Sequence, residues 1–225
     1  LTYYIAESHR NVQQVGATNE YQVGYSIDMS TVGSITSTND TADKASSVVF
    51  LANPASTLNI EGGRLSATGG DAHAVNMNQG GTLKMTGGFI VGSTTIGHGA
   101  AISADNKDTN KATINADNKD TNATINISIG GNAVIAGNHA AKNGGAMWVR
   151  SIQDSPQASI FVGGDALIAG NKAGSEPIKS VEKGKYADLC NGGGIFADSN
   201  CAVTVGGKAV IAGNTAYADG GGINI

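Results

Sequence analysis

The sequence predicts an all-β fold, a right-handed parallel β-helix wound as a single-stranded solenoid of about five to six coils. Three observations predict it. A twelve-residue motif recurs almost unchanged, apolar residues alternate inside short pulses, and glycine fills 33 of 225 positions against only three prolines. Collagen would place glycine at every third residue, and a disordered linker would carry fewer branched aliphatics. Here valine and isoleucine come in pulses bounded by Gly, Asn, Asp and Thr, the punctuation of many short strands.

The repeat reads ISIGGNAVIAGN at 127–138, IFVGGDALIAGN at 160–171 and VTVGGKAVIAGN at 203–214. Each copy is followed by a glycine cluster and a second pulse: NGGAMWV, NGGGIFA and DGGGINI. Self-similarity at a fixed period is the signature of a solenoid. One set of anchors lies just before the first Gly pair or its equivalent: Ile60, Met85, Ile129, Val162 and Val205. The second set falls in the following pulse: Phe50, Val75, Ile102, Met147, Ile195 and Ile223. Phe50 to Ile60, Val75 to Met85 and Ile195 to Val205 are each 10 residues apart, and the Gly-Gly arm takes 15 to 18. Two independent spacings held this steadily give a coil of roughly 25 to 28 residues.

Within the pulses, Ile125, Ile127 and Ile129, or Leu83 and Met85, alternate with polar residues and so share one strand face. A single coil cannot bury that face. Coils stacked about 4.8 Å apart bury it as a continuous column and pair each strand with its neighbours above and below. The glycines suit corners, and the Asn of each IAGN (Asn138, Asn171, Asn214) suits a turn that tolerates a left-handed residue. Stacked in register, these three Asn side chains are expected to form a hydrogen-bonded ladder.

Taken in order, residues 1–47 do not follow the repeat and are expected to cap the first coil or form an irregular one. Their Tyr3, Tyr4, Tyr21 and Tyr25 hold much of the chain's aromatic content. Residues 48–225 carry the repeats. Extra residues near 153–157, 175–188 and between Ile102 and Ile129 are expected to form loops outside the coils. The chain stops inside a coil, so the segment is expected to belong to something longer.

The GG-[AG]-[IM] pulse is present at Gly144 to Met147, Gly193 to Ile195 and Gly221 to Ile223. It pairs with an aliphatic-x-x-Asn turn at Ile135 to Asn138, Ile168 to Asn171 and Ile211 to Asn214. This pairing resembles the GGAI and FxxN repeats of chlamydial polymorphic membrane proteins, and the predicted β-helix repeats of large Gram-positive surface proteins. The matches are good over about 125–225 and weaker back to about 48, and Ile stands where the FxxN element has Phe. The resemblance implies surface display and adhesion.

Composition narrows the function. Net charge is −4, charged residues are 14%, and no Lys or Arg run offers a nucleic-acid footprint. The longest apolar run, Val48 to Ala52, is far shorter than a membrane span, and Leu1-Thr-Tyr-Tyr is not a signal peptide. A polysaccharide lyase or hydrolase on this architecture needs clustered carboxylates in one groove. The outward repeat positions supply only Asp105, Arg150 and Asp198, and Arg150 with Asp198 reads as a cross-strand ion pair rather than catalytic machinery. Binding is therefore expected over catalysis. A structural spacer and a pectate-lyase-like enzyme are the rival readings, and no cofactor is expected.

ADNKDTN occurs twice, at 104–110 and 116–122, so Asp105, Asp108, Asp117 and Asp120 could offer oxygens to calcium. Both copies lack the Gly and Glu of an EF-hand loop and carry a Lys, which favours a solvated, duplicated loop. His9, His73, His98 and His139 are scattered, with the last three near corners of different coils, and do not suggest a metal site. Cys201 aligns with the inward positions Ile125 and Ala158, so a buried thiol is expected. A disulfide to Cys190 is the minor alternative.

The outward position after each second anchor reads Leu51, Asn76, Ser103, Trp148, Phe196 and Asn224. Trp148 and Phe196 thus fall on one face in neighbouring coils, with Arg150 and Asp198 two residues further on. Exposed, the two rings would take a sugar face or a peptide side chain; beneath a loop they would simply pack. The charged 175–188 insertion borders them and adds Lys179, Lys183 and Tyr186 as contact candidates. A host or environmental glycan or protein is the expected partner, on a monomeric segment at the cell surface or secreted.

Overall fold

A computed structural model describes residues 10–15, 20–25, 33–38, 47–52, 55–77, 80–106, 124–151, 157–174 and 190–225. Among the described residues every regular element is a strand. Strands β1 (Arg10–Val15) and β2 (Glu20–Tyr25) pair antiparallel. All other pairings are parallel.

The parallel strands form four sheets. The first comprises β3 (Ser34–Thr38), β6 (Arg64–Thr68), β9 (Phe89–Val91), β13 (Val134–Ala136), β17 (Leu167–Ala169) and β21 (Val210–Ala212). The second comprises β4 (Val49–Leu51), β7 (Val75–Met77), β11 (Ile102–Asn106), β15 (Met147–Ser151), β19 (Ile195–Asp198) and β23 (Ile223–Asn224). The third comprises β5 (Thr57–Ile60), β8 (Gly81–Met85), β12 (Ile125–Ile129), β16 (Ala158–Val162) and β20 (Cys201–Val205). A short fourth holds β10 (Thr94–Thr95), β14 (His139–Ala140), β18 (Lys172–Ala173) and β22 (Thr215–Ala216). Within each sheet a strand pairs with the corresponding strand of the neighbouring repeat, the arrangement of a stacked solenoid. β3, within the stretch 1–47 expected to cap the first coil or form an irregular one, pairs in parallel with β6.

The predicted column Ile60, Met85, Ile129, Val162, Val205 is paired residue by residue. Its first four members are buried. Val205, on the last strand of its sheet, is 46% exposed. Val75, Ile102, Met147, Ile195 and Ile223 likewise pair in sequence. Phe50 does not belong to that column: Val49 pairs with Val75, and Phe50 pairs with Asn76. Phe50 is therefore 55% exposed, and Leu51, expected outside, is 5% exposed. The reason is that Val48 to Ala52 has no alternation to fix its phase, and a slip of one residue reverses every side chain.

The asparagine ladder is present. Asn138 Nδ2 donates to Asn171 Oδ1 at 2.9 Å, and Asn171 Nδ2 to Asn214 Oδ1 at 2.8 Å. The backbone N–H of Asn138 and of Asn171 donates to the same oxygens. Ser93 takes the position one coil earlier, its N–H donating to Asn138 Oδ1. The left-handed turn residue, however, is the preceding glycine (Gly137, Gly170 and Gly213, φ near +60°), not the asparagine. This division of labour leaves each Asn free to turn inward.

Candidate functional site

The site is built where the corner preceding the second sheet meets that sheet's outer face. The corner reads His98-Gly99, Asn143-Gly144, Asn191-Gly192 and Asp219-Gly220 in successive coils. Each glycine has φ between +62° and +68°, and a Cβ on Gly99 would collide with the Ile102 carbonyl, so only glycine fits. The residue before it lends a side-chain acceptor to the next coil. Asn143 N–H donates to His98 Nδ1, Asn191 N–H to Asn143 Oδ1, and Asp219 N–H to Asn191 Oδ1. This is a second ladder, in which one rung is a histidine.

That bond fixes the chemistry of His98. An accepting Nδ1 cannot carry a proton, so the neutral ring carries it on Nε2. Burial, helped by Lys142 alongside, pushes the His98 pKa down to about 4. His73 shows the opposite arrangement. Its Nδ1 lies 3.0 Å from the Gly99 carbonyl, which can only accept, so Nδ1 holds the proton and Nε2 is bare. Burial lowers its pKa as well, against the pull of Asp71.

On the outer face of the second sheet, Phe50, Asn76, Ser103, Trp148, Phe196 and Asn224 share one register. Two residues further on, Asp105, Arg150 and Asp198 share another. Corner and face together line a cleft of about 610 Å³. Asp71, His73 and His98 come from the corners, Asn76, Ser103, Asp105 and Trp148 from the strands, and Ile96 and Lys142 from the lip.

Trp148 and Phe196 are paired across β15 and β19, as the repeat predicts. They do not form an exposed ring pair. Trp148 is only 8% exposed, and its indole stacks on His98 at 4.8 Å between centroids, with the Arg150 guanidinium 5.1 Å from the ring centre. Phe196 is half-buried. The expected Arg150–Asp198 ion pair is also corrected. The two residues are register partners, yet Arg150 forks to Asp105 on the other side, Nε to Oδ1 at 3.0 Å and Nη2 to Oδ2 at 2.5 Å. A bidentate bond of this kind is the stronger geometry, and it is the main reason the Arg150 pKa is raised.

Both carboxylate oxygens of Asp105 are thus engaged by Arg150 rather than turned toward a cation. Asp108, Asp117 and Asp120, like Lys179, Lys183 and Tyr186, lie outside the described residues. His139 bonds the Gly174 carbonyl in another part of the fold. Among the described residues, no three His, Cys, Asp or Glu side chains are grouped to hold a metal. Cys190 and Cys201 are both free. Cys201 pairs with Ala158 as predicted but is only half-buried, because β20 is the last strand of its sheet. Among the described residues no helix is long and apolar enough to cross a membrane.

The approach of His73 and His98 to one cleft was missed at the level of sequence. The signal was the corner column itself, where His98 occupies the position of Asn143 and Asn191 ahead of a corner glycine. No protein-family model, curated protein or solved structure matches this chain.

Proposed function

We propose that the chain is a segment of a secreted or surface-displayed bacterial adhesin. Its stacked sheets form a right-handed parallel β-helix of about five to six coils, and it binds a host or environmental glycan or protein through the cleft beside Trp148. One observation carries the reading. The cleft gathers buried polar groups, His73 at 4% and Ser103 at 7% exposure, where the corner meets the outer face of the second sheet. Buried polar groups that converge on a concavity are what orient a ligand.

Binding is favoured over catalysis because the cleft's carboxylates are poorly placed for proton transfer. Both oxygens of Asp105 are already bonded by Arg150, so the carboxylate is not aimed at a proton on a bound ligand. The test is Asn76→Phe. Phenylalanine already occupies this register at Phe50 and Phe196, so the substitution suits the fold while filling the cleft. In a cell-binding and glycan-array screen the variant loses the binding of the parent at an unchanged thermal midpoint. Full retention of binding removes the cleft from the account, and release of reducing or unsaturated sugar ends by the parent replaces binding with catalysis.

A further inference from the structure

The cleft's donors and acceptors point to a ligand class. His73 Nε2 lies 3.7 Å from Asp71 Oδ1, and the tautomer set by Gly99 makes both atoms acceptors. They face each other at a distance too long for a direct hydrogen bond; Asp71 Oδ1 also accepts from Thr95 Oγ1 at 3.3 Å and keeps a second lone pair. Opposite in character, His98 is left with an Nε2–H donor, because its Nδ1 is occupied by Asn143 N–H. Asn76 and Ser103 can each donate and accept.

The charges cancel locally. Asp105 is matched by Arg150 at bonding distance, and Asp71 is offset by Lys142 across the same cleft. A polyanion therefore meets no net positive field, and a cation meets no uncompensated carboxylate cluster. What remains is a surface of alternating donors and acceptors beside two apolar patches: Ile96, 53% exposed on the lip, and Trp148 in the wall. Hydroxyl groups donate and accept equally, and a sugar ring adds a C–H face for apolar contact.

We propose that the cleft takes an uncharged saccharide, with one hydroxyl donating between Asp71 Oδ1 and His73 Nε2 and others accepting from His98 Nε2–H and Lys142. The inference rests on the cleft-binding reading above and narrows it from glycan or protein to neutral glycan.

Trp148, the one tryptophan in the chain, is a built-in reporter. Its emission and the heat of binding are followed with cellohexaose, mannohexaose and chitohexaose, and with hexagalacturonate and a heparin hexasaccharide, at about 0.05 M and about 0.5 M salt. At least one neutral oligomer is expected to bind with affinity that changes less than about twofold with salt. Asn76→Phe and His73→Phe are each expected to weaken it at least about tenfold. Preference for an anionic oligomer, salt-sensitive and lost in Asn76→Phe, overturns the uncharged class and leaves the cleft reading standing. So does the absence of binding to any oligomer while cells still retain the protein in a cleft-dependent way. Oligomer binding untouched by Asn76→Phe overturns both.

Discussion

The imidazole of His98 lies stacked on the indole of Trp148, with the ring centroids 4.8 Å apart and the planes 25° from parallel. The two residues come from successive coils, so the stack ties a corner to a strand one repeat away. The corner is itself held by the Asn143 N–H to His98 Nδ1 bond. Trp148 is for this reason a structural member of the cleft wall.

Trp148→Ala is accordingly expected to destabilise. Removing a buried aromatic costs about 3–5 kcal/mol, which in a chain of this length corresponds to a fall in midpoint on the order of 10 °C. Thermal unfolding followed by circular dichroism measures it. A midpoint within about a degree of the parent would show the ring to be dispensable to the wall.

Acid should weaken the fold through His98. Its pKa is held at about 4 in the folded chain against an ordinary 6.5, so between those values the unfolded chain takes up a proton that the folded chain refuses. Stability is full above about pH 6.5 and declines as the pH falls toward 4, and the depressed His73 acts in the same direction. His98→Asn restores the acceptor used by the neighbouring coils and should flatten part of this dependence in urea titrations. An identical pH dependence in parent and variant would contradict the assignment.

The inner ladder should be cooperative. Asn171 is fully buried; it accepts from Asn138 and donates to Asn214 and to the Ile135 carbonyl. Asn171→Ala strands several of these groups and should cost about 2–4 kcal/mol, since each unsatisfied buried group costs about 1–3. Asn214→Ala, at a half-exposed rung, should cost clearly less. Equal losses in urea melts of the two variants would show that the ladder is not the source of the stability.

Much of this was legible in the sequence, and the failures have specific physical causes. The register of both inward columns followed from alternation at Ile125, Ile127 and Ile129 and from constant spacing. It failed at Phe50, where an unbroken apolar run carries no phase. The Trp148–Phe196 and Arg150–Asp198 register pairs were legible for the same reason, but register says only which residues are neighbours. Arg150 has a carboxylate on either side, Asp105 and Asp198, and spacing cannot choose between them. Nor can spacing say that the Trp148 ring turns toward His98 at the corner rather than toward Phe196 along the strand.

The thiols supply an independent check on burial and on the free state of the two cysteines. Burial raises the pKa of both, Cys201 to about 11, and Cys201 Sγ donates to the Asp198 carbonyl at 2.8 Å. Iodoacetamide at neutral pH should label the native protein slowly and both cysteines quickly once it is unfolded without reductant. Denatured, unreduced protein in which neither thiol is labelled would mean a disulfide that the free pair excludes.

The proposed ligand position is the cleft between the His98 corner and the outer face of the second sheet. Hydrogen exchange on the protein alone, and saturated with the cell-surface polymer that retains it, tests this most directly. Protection on binding is expected to concentrate in peptides covering 71–76, 96–105 and 142–150, and Asn76→Phe is expected to show none of it. Protection centred instead on the third sheet around the exposed Phe161, with those three segments unchanged, would contradict it.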